Sequence, residues 1–201
     1  MTTSTEDLTT TPSPSRYTTI AIVLHAVLAV GLLYQLGLGV WMDSVPKTPP
    51  GLRAGWFNWH KSIGMVLGLL IVVRALWRLT HASPALPSTT PRWQMHAARW
   101  NHATLYACMI AMPISGFLGS SFTKYPIKFF DWPLPRLWEA SAELKTVFGN
   151  VHTVASYVFM AAVAVHILAA MWHAVRRDGV VSRMLPQRSH AVPPAAEADV
   201  R

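Results

Sequence analysis

Long apolar stretches alternate with short polar segments along this chain, and that alternation sets its organisation. Four such stretches run from about Thr18 to Trp41, Trp56 to Leu79, Asn101 to Phe122 and Val147 to Val175. Each approaches the ~20 residues a helix needs to cross hydrocarbon. The pattern predicts an all-α fold, an integral membrane four-helix bundle. The second stretch has its densest apolar part at Ile63–Val73, and Pro113 is expected to kink the third. An even number of spans puts both ends of the chain on one side. The first run is too long for a signal peptide and lacks a small-residue cleavage site. Residues 1–16, rich in Thr, Ser and Pro, read as a disordered tail, and the Ala/Pro-rich residues 187–201 as a second. The bundle domain is expected over residues 17–186.

Composition agrees with a membrane solvent. Apolar residues make up 52% of the chain and charged residues 13%, against about 25% charged in a soluble domain. The net charge of +8 and pI near 10.2 reflect basic membrane-flanking segments. No basic stripe interleaved with aromatics lies outside the apolar blocks, so nucleic acid is not an expected partner. The side holding both ends and the 75–100 loop carries ten Lys/Arg, against seven on the other. By the positive-inside rule that side is expected to be cytoplasmic. Most of the nine tryptophans fall near block ends, where aromatic belts form. The aromatic, proline-rich 123–146 loop is expected to lie along the outer surface as a partial cap.

Cys108 is the only cysteine. That rules out an intrachain disulfide, an all-cysteine iron–sulfur site and covalent c-type haem. Cys108 itself reads as a small packing residue. A metal cofactor would have to be held by histidine or methionine.

Four histidines lie well inside the apolar stretches, away from their ends. His152 and His166 are fourteen residues apart in the fourth, so they share a helix face about 21 Å apart along the axis. A titratable group in hydrocarbon is costly, and its presence points to function. By depth, His60 matches His152 near the outer surface and His25 matches His166 toward the inner one. Each pair joins the fourth helix to a different partner. Bis-imidazole ligation of a noncovalent b-type haem needs two nitrogens facing one another across a porphyrin wedged between helices. The four histidines are therefore expected metal ligands of two b-type haems.

Gly64, one turn after His60, and Ala162, Ala169 and Ala170 around His166 would let a flat macrocycle approach. Arg74 shares the His60 face and arrives at the depth of the inner pair, where haem propionates would partner it. Lys61 and Lys145 could face outer propionates or an anionic substrate. His102, read at the inner start of the third helix, is left without a level-matched partner and is expected to be structural. His173 could touch a quinone headgroup or serve as an interfacial residue. His81, His96 and His190 carry no site argument. Gly31, Gly37 and Gly39 read as aids to close packing.

The run Ile22–His25, the segment Asn58-Trp59-His60-Lys61-Ser62-Ile63-Gly64, Val72-Val73-Arg74, Asn101-His102 with Met112-Pro113-Ile114-Ser115-Gly116, and Val151-His152 followed by Val165-His166 together resemble the bacterial cytochrome b561 family. The resemblance covers roughly residues 16–186. It implies a four-helix, di-haem inner-membrane protein with ligands at His25, His60, His152 and His166, exchanging electrons with the quinone pool. One branch of the family oxidises superoxide on the periplasmic side and reduces ubiquinone. Others relay electrons to or from partner proteins.

The leading expectation is a superoxide:ubiquinone oxidoreductase, with ubiquinone as substrate and an outer funnel of Lys61, Lys145 or Lys124 steering the anion in. Arg74 and His173 are the candidates near an inner quinone. The first rival is a relay subunit docking a redox partner protein through the 123–146 loop. The second is a non-redox transporter or metal-handling bundle.

Overall fold

The computed structural model describes residues 16–81, 83–84 and 90–185. The expected tails over 1–16 (except Arg16) and 187–201 lie outside these residues. Four helices dominate: α1 (Thr19–Met42), α2 (Leu52–Thr80), α3 (Arg92–Ser121) and α4 (Ala142–Arg176). Each is long and apolar enough to cross a membrane.

The helices outrun the apolar stretches that announce them. α3 begins nine residues before Asn101, and α4 five before Val147. Hydropathy marks only the part of a helix in hydrocarbon, whereas caps decide where the hydrogen-bonded backbone starts. The Ser141 side chain accepts from the Leu144 N–H at 3.3 Å and opens α4, with Glu143 in the first turn favoured by the helix dipole. Thr18 caps α1 in the same way, accepting from Ala21 N–H at 3.3 Å. The expected 75–100 loop thus shrinks to the segment between Thr80 and Arg92. α3 runs on through Pro113.

α3 packs along α4, α1 along α2, and α2 against α3. One apolar layer binds the four together: Leu28 of α1, Leu67 and Ile71 of α2, Cys108 and Met109 of α3, and Phe159 of α4. Cys108 packs there as a small apolar group. Small residues bring the backbones close. A Cβ on Gly31 would fall 2.6 Å from Leu67 Cδ2, and one on Gly68 3.2 Å from Pro113 Cβ. Such approaches supply the van der Waals contact that associates helices in lipid. Large apolar side chains such as Val30, Leu69 and Leu168 point outward, as they must where the surrounding solvent is acyl chain.

The 123–146 loop holds structure that hydropathy did not reveal. Strands β1 (Lys128–Phe129) and β2 (Trp132–Pro133) pair antiparallel, turning through Phe130 at φ 52°. The hairpin is clipped to the N-terminal part of α2. Fully buried Ser62 accepts from Phe130 N–H at 2.7 Å and donates to the Asn58 carbonyl at 2.9 Å. Asn58 Nδ2 in turn donates to Phe130 O at 2.6 Å. At the other end of the bundle, a 3-10 helix (Val181–Met184) follows α4. There Tyr17 N–H donates to Arg183 O at 3.4 Å, so both ends of the described chain meet on one side.

Candidate functional site

The four histidines come together as two pairs. The His25 and His166 rings have centroids 6.2 Å apart, and the His60 and His152 rings 6.3 Å. Both pairs use α4, and each reaches a different partner helix. Meanwhile the α4 backbone keeps largely apart from α1 and α2. The imidazoles, with the apolar layer between them, span that separation.

The spacing can be tested against a bound metal. Two metal–imidazole bonds of about 2.0 Å, plus about 1.1–1.2 Å from each nitrogen to its ring centre, put the centroids of a linear pair ~6.3 Å apart. Both pairs match. Among the described residues no group of three or more His, Cys, Asp or Glu is arranged to hold a bare metal ion. Two imidazoles alone would suit a metal held mainly by a cofactor, as haem iron is, with each histidine pair as its protein ligands.

Ring environments point the same way. His152 Nδ1 lies 2.9 Å from the Met112 carbonyl oxygen. A carbonyl only accepts, so Nδ1 carries the hydrogen, and in the neutral ring the lone pair sits on Nε2. A Cβ on Gly116 would stand 3.1 Å from both Nδ1 and Cε1 of His152, and a Cβ on Gly39 3.3 Å from Cε1 of His60. The His60 and His152 imidazoles therefore each lay this edge against a glycine of a neighbouring helix. His60 Nδ1 is buried without a hydrogen-bond partner.

These contacts revise the reading of the small residues. The space beside Gly64 is taken by an amide: a Cβ there would meet Gln35 Nε2 at 3.1 Å. Gly39, read as a packing aid, is the residue that makes room for the His60 ring. Gln35 itself escaped notice, although a carboxamide in an apolar run was the signal available.

At the end of the bundle where the ends of the described chain meet, Arg74 Nη1 donates to Ala21 O at 3.3 Å, one turn before His25. Its charge lies within electrostatic reach of His25, His102 and His166. His102 departs from expectation, its ring centroid standing 5.4 Å from that of His166. Because α3 starts at Arg92, His102 lies nearly three turns inside the helix, and a partner was at its level after all. His173 Nδ1 meets Asp178 Oδ2 at 2.5 Å just past the end of α4. That hydrogen bond, aided by Val180 N–H, holds the Asp178 carboxyl below the usual carboxylate range despite some opposing desolvation.

At the opposite end, Lys61 is partly buried and within electrostatic reach of His60. Lys124 and Lys145 are exposed. Among the described residues none of the three has an ion-pair partner, whereas Asp43 is paired with Arg53 at 3.1 Å.

Comparison with known proteins adds the lineage. The family described as prokaryotic cytochrome b561 matches residues 16–187. Cytochrome b561 homolog 2 of Escherichia coli (strain K12) is 30% identical over 186 residues, spanning 89% of this chain and 96% of that protein.

Proposed function

This chain belongs to the prokaryotic cytochrome b561 family, and from that premise we propose that it is a di-haem electron wire acting as a superoxide:ubiquinone oxidoreductase. The family places it among multi-pass membrane electron-transfer proteins that bind b-type haem. The observation that carries the finer reading is the stacking of two imidazole pairs, at 6.2 and 6.3 Å, along one face of α4. His60 and His152 hold the outer haem, and His25 and His166 the inner one. Bound haem iron supplies one-electron oxidation and reduction.

The chain's own residues do the rest. Leu28, Leu67, Ile71, Met109 and Phe159 fill the space between the pairs and keep water out. Lys61, with Lys124 and Lys145 farther out, gives the outer face unpaired positive charge that draws an anion inward. Superoxide needs no general acid or base to give up its electron. Two superoxide anions each lose one electron and leave as dioxygen. Ubiquinone takes the two electrons and two protons to become ubiquinol. Asp178 ties His173 into the end of α4, which leaves Arg74 as the better-placed residue for the inner haem's propionates or a quinone. The ends of the chain lie in the cytoplasm, as the excess of Lys/Arg on that side favours.

The test is ubiquinone reduction by a defined superoxide source, using the purified protein alone and recording its reduced-minus-oxidised spectrum on the same sample. Two b-type haems with fast, salt-sensitive turnover are expected. A colourless protein would overturn the redox reading. Two haems without superoxide-dependent turnover would favour the relay subunit instead. One observation speaks for that second reading: the outer loop presents Tyr125 and Trp132 about four-fifths exposed, as a partner-docking surface would.

A further inference from the structure

Gln35 is a polar residue in the apolar run of α1, and it is buried, with 8% of its surface exposed. Burying a carboxamide is unfavourable unless its donors and acceptor are satisfied. Its Nε2 donates to the His60 backbone carbonyl at 2.6 Å, and Gly64, one turn farther along α2, leaves the space it occupies. Gly39 follows Gln35 by one helical turn on the same face of α1 and meets the His60 ring. α1 thus grips His60 at two levels, the backbone through Gln35 and the ring through Gly39.

Among the described residues, two buried side-chain polar atoms have no hydrogen-bond partner: Gln35 Oε1 and His60 Nδ1. They are complementary. The amide oxygen only accepts. The ring nitrogen donates whenever Nε2 carries the lone pair offered to a metal. They also belong to residues already joined by a hydrogen bond. Across the pair, His152 has no such deficit, because Met112 O takes its Nδ1–H.

We infer that Gln35 is a positioning residue for His60, its amide oxygen accepting the Nδ1–H of the metal-bound ring directly or through one bridging water. It thereby does for His60 what the Met112 carbonyl does for His152. A hydrogen bond to the far nitrogen of a ligating imidazole fixes the ring and raises its basicity. A more basic ligand favours the oxidised metal, so Gln35 holds the outer haem's reduction potential down. This rests on the reading of His60 as a haem ligand.

The test is a redox titration of the full-length haem-loaded protein, followed by optical and electron paramagnetic resonance spectra, for wild type, Gln35→Leu, Gln35→Glu and His60→Ala. Gln35→Leu should raise the outer potential, shift that haem's resonance and leave the inner haem unchanged. Gln35→Glu, which keeps an acceptor, should hold the outer potential at or below wild type. Loss of the outer haem in Gln35→Leu with retention in Gln35→Glu would support the same role. An unmoved outer haem in Gln35→Leu, equal shifts of both haems, or loss of the outer haem in both variants would overturn it. His60→Ala separates the two levels of the claim. If it loses one haem while Gln35→Leu changes nothing, only the positioning role fails. If it keeps both, the ligand reading fails and takes this inference with it.

Discussion

The Met112 carbonyl oxygen sits 2.9 Å from His152 Nδ1, and that contact decides which nitrogen of the ring can serve a metal. Met112 lies next to Pro113, which has no N–H to give the carbonyl one turn before it, that of Met109. The helix that fixes the outer imidazole's tautomer is thus locally short of one hydrogen bond. His60, on the opposite side, is fixed from α1.

Removing single imidazoles should empty the sites selectively. His60→Ala or His152→Ala is expected to lose about half the haem and keep the inner centre, and His25→Ala or His166→Ala to do the reverse. Haem-to-protein ratio with a reduced-minus-oxidised spectrum reads this directly. His102→Phe should retain both haems, because its 5.4 Å spacing to His166 falls short of the ~6.3 Å a linear metal bridge needs. Loss of the inner haem from His102→Phe but not from His25→Ala would move the ligand role to His102.

Glycine substitutions should grade with the closeness of the ring. A Cβ at Gly116 would press the His152 ring at 3.1 Å, whereas at Gly119 it would meet Phe148 Cβ at an ordinary 3.5 Å. Gly116→Ala is therefore expected to cost about 1–3 kcal/mol of stability by overpacking and to lower outer-haem occupancy. Gly119→Ala should leave occupancy near wild type. Thermal unfolding and haem content of the two variants together give the comparison; equal behaviour would remove the cradle argument.

Arg74→Gln should move the inner haem's potential more than the outer one's. The guanidinium is anchored on the Ala21 carbonyl at 3.3 Å, near His25 and a long way along α2 from His60. Loss of a nearby positive charge makes reduction less favourable, so the inner potential is expected to fall. Potentiometric titration of the two centres measures it, and equal shifts would dissociate Arg74 from the inner site.

The end of α4 should respond to acid. Asp178 is held below the usual carboxylate range chiefly by the His173 hydrogen bond. A depressed folded-state value means that the stabilisation is fully present above the unfolded carboxyl pKa of about 3.9. It is lost as pH falls through the lower folded value. Asp178→Asn is thus expected to exchange amide hydrogens faster than wild type around residues 176–180 at neutral pH. The difference should close only below about pH 4. Hydrogen exchange across that range checks the sign.

Periodicity and depth were enough to read the four spans and to sort His25, His60, His152 and His166 into pairs. Those features repeat with the helix and need no knowledge of neighbours. Helix ends were less legible, because Ser141 capping α4 and Pro91 preceding α3 act outside the apolar runs. That error displaced His102 to a membrane edge and hid its approach to His166. The β1–β2 hairpin rests on Ser62 and Asn58 bonding to Phe130, contacts roughly seventy residues apart in sequence that no local pattern encodes. The same holds for Gln35. Its partner is a backbone carbonyl on another helix, and its room comes from a glycine whose purpose was read differently.

Phe159 stands seven residues from both His152 and His166 and is 2% exposed, at the centre of the dry layer between the pairs. Any charge passed from one pair to the other travels ~21 Å along the helix axis, roughly two-thirds of a ~30 Å hydrocarbon core. The buried residues of that layer, Leu28, Leu67, Ile71, Cys108, Met109 and Phe159, carry no charge that would collapse the field across it. On the proposed two-haem reading, electron passage would be electrogenic: each electron would do work, or have work done on it, of about 1.6 kcal/mol per 100 mV of membrane potential. With the ends of the chain inside, as proposed, an energised membrane would oppose inward flow and assist outward flow. The voltage across the bilayer would then be a control on the direction in which the proposed wire conducts.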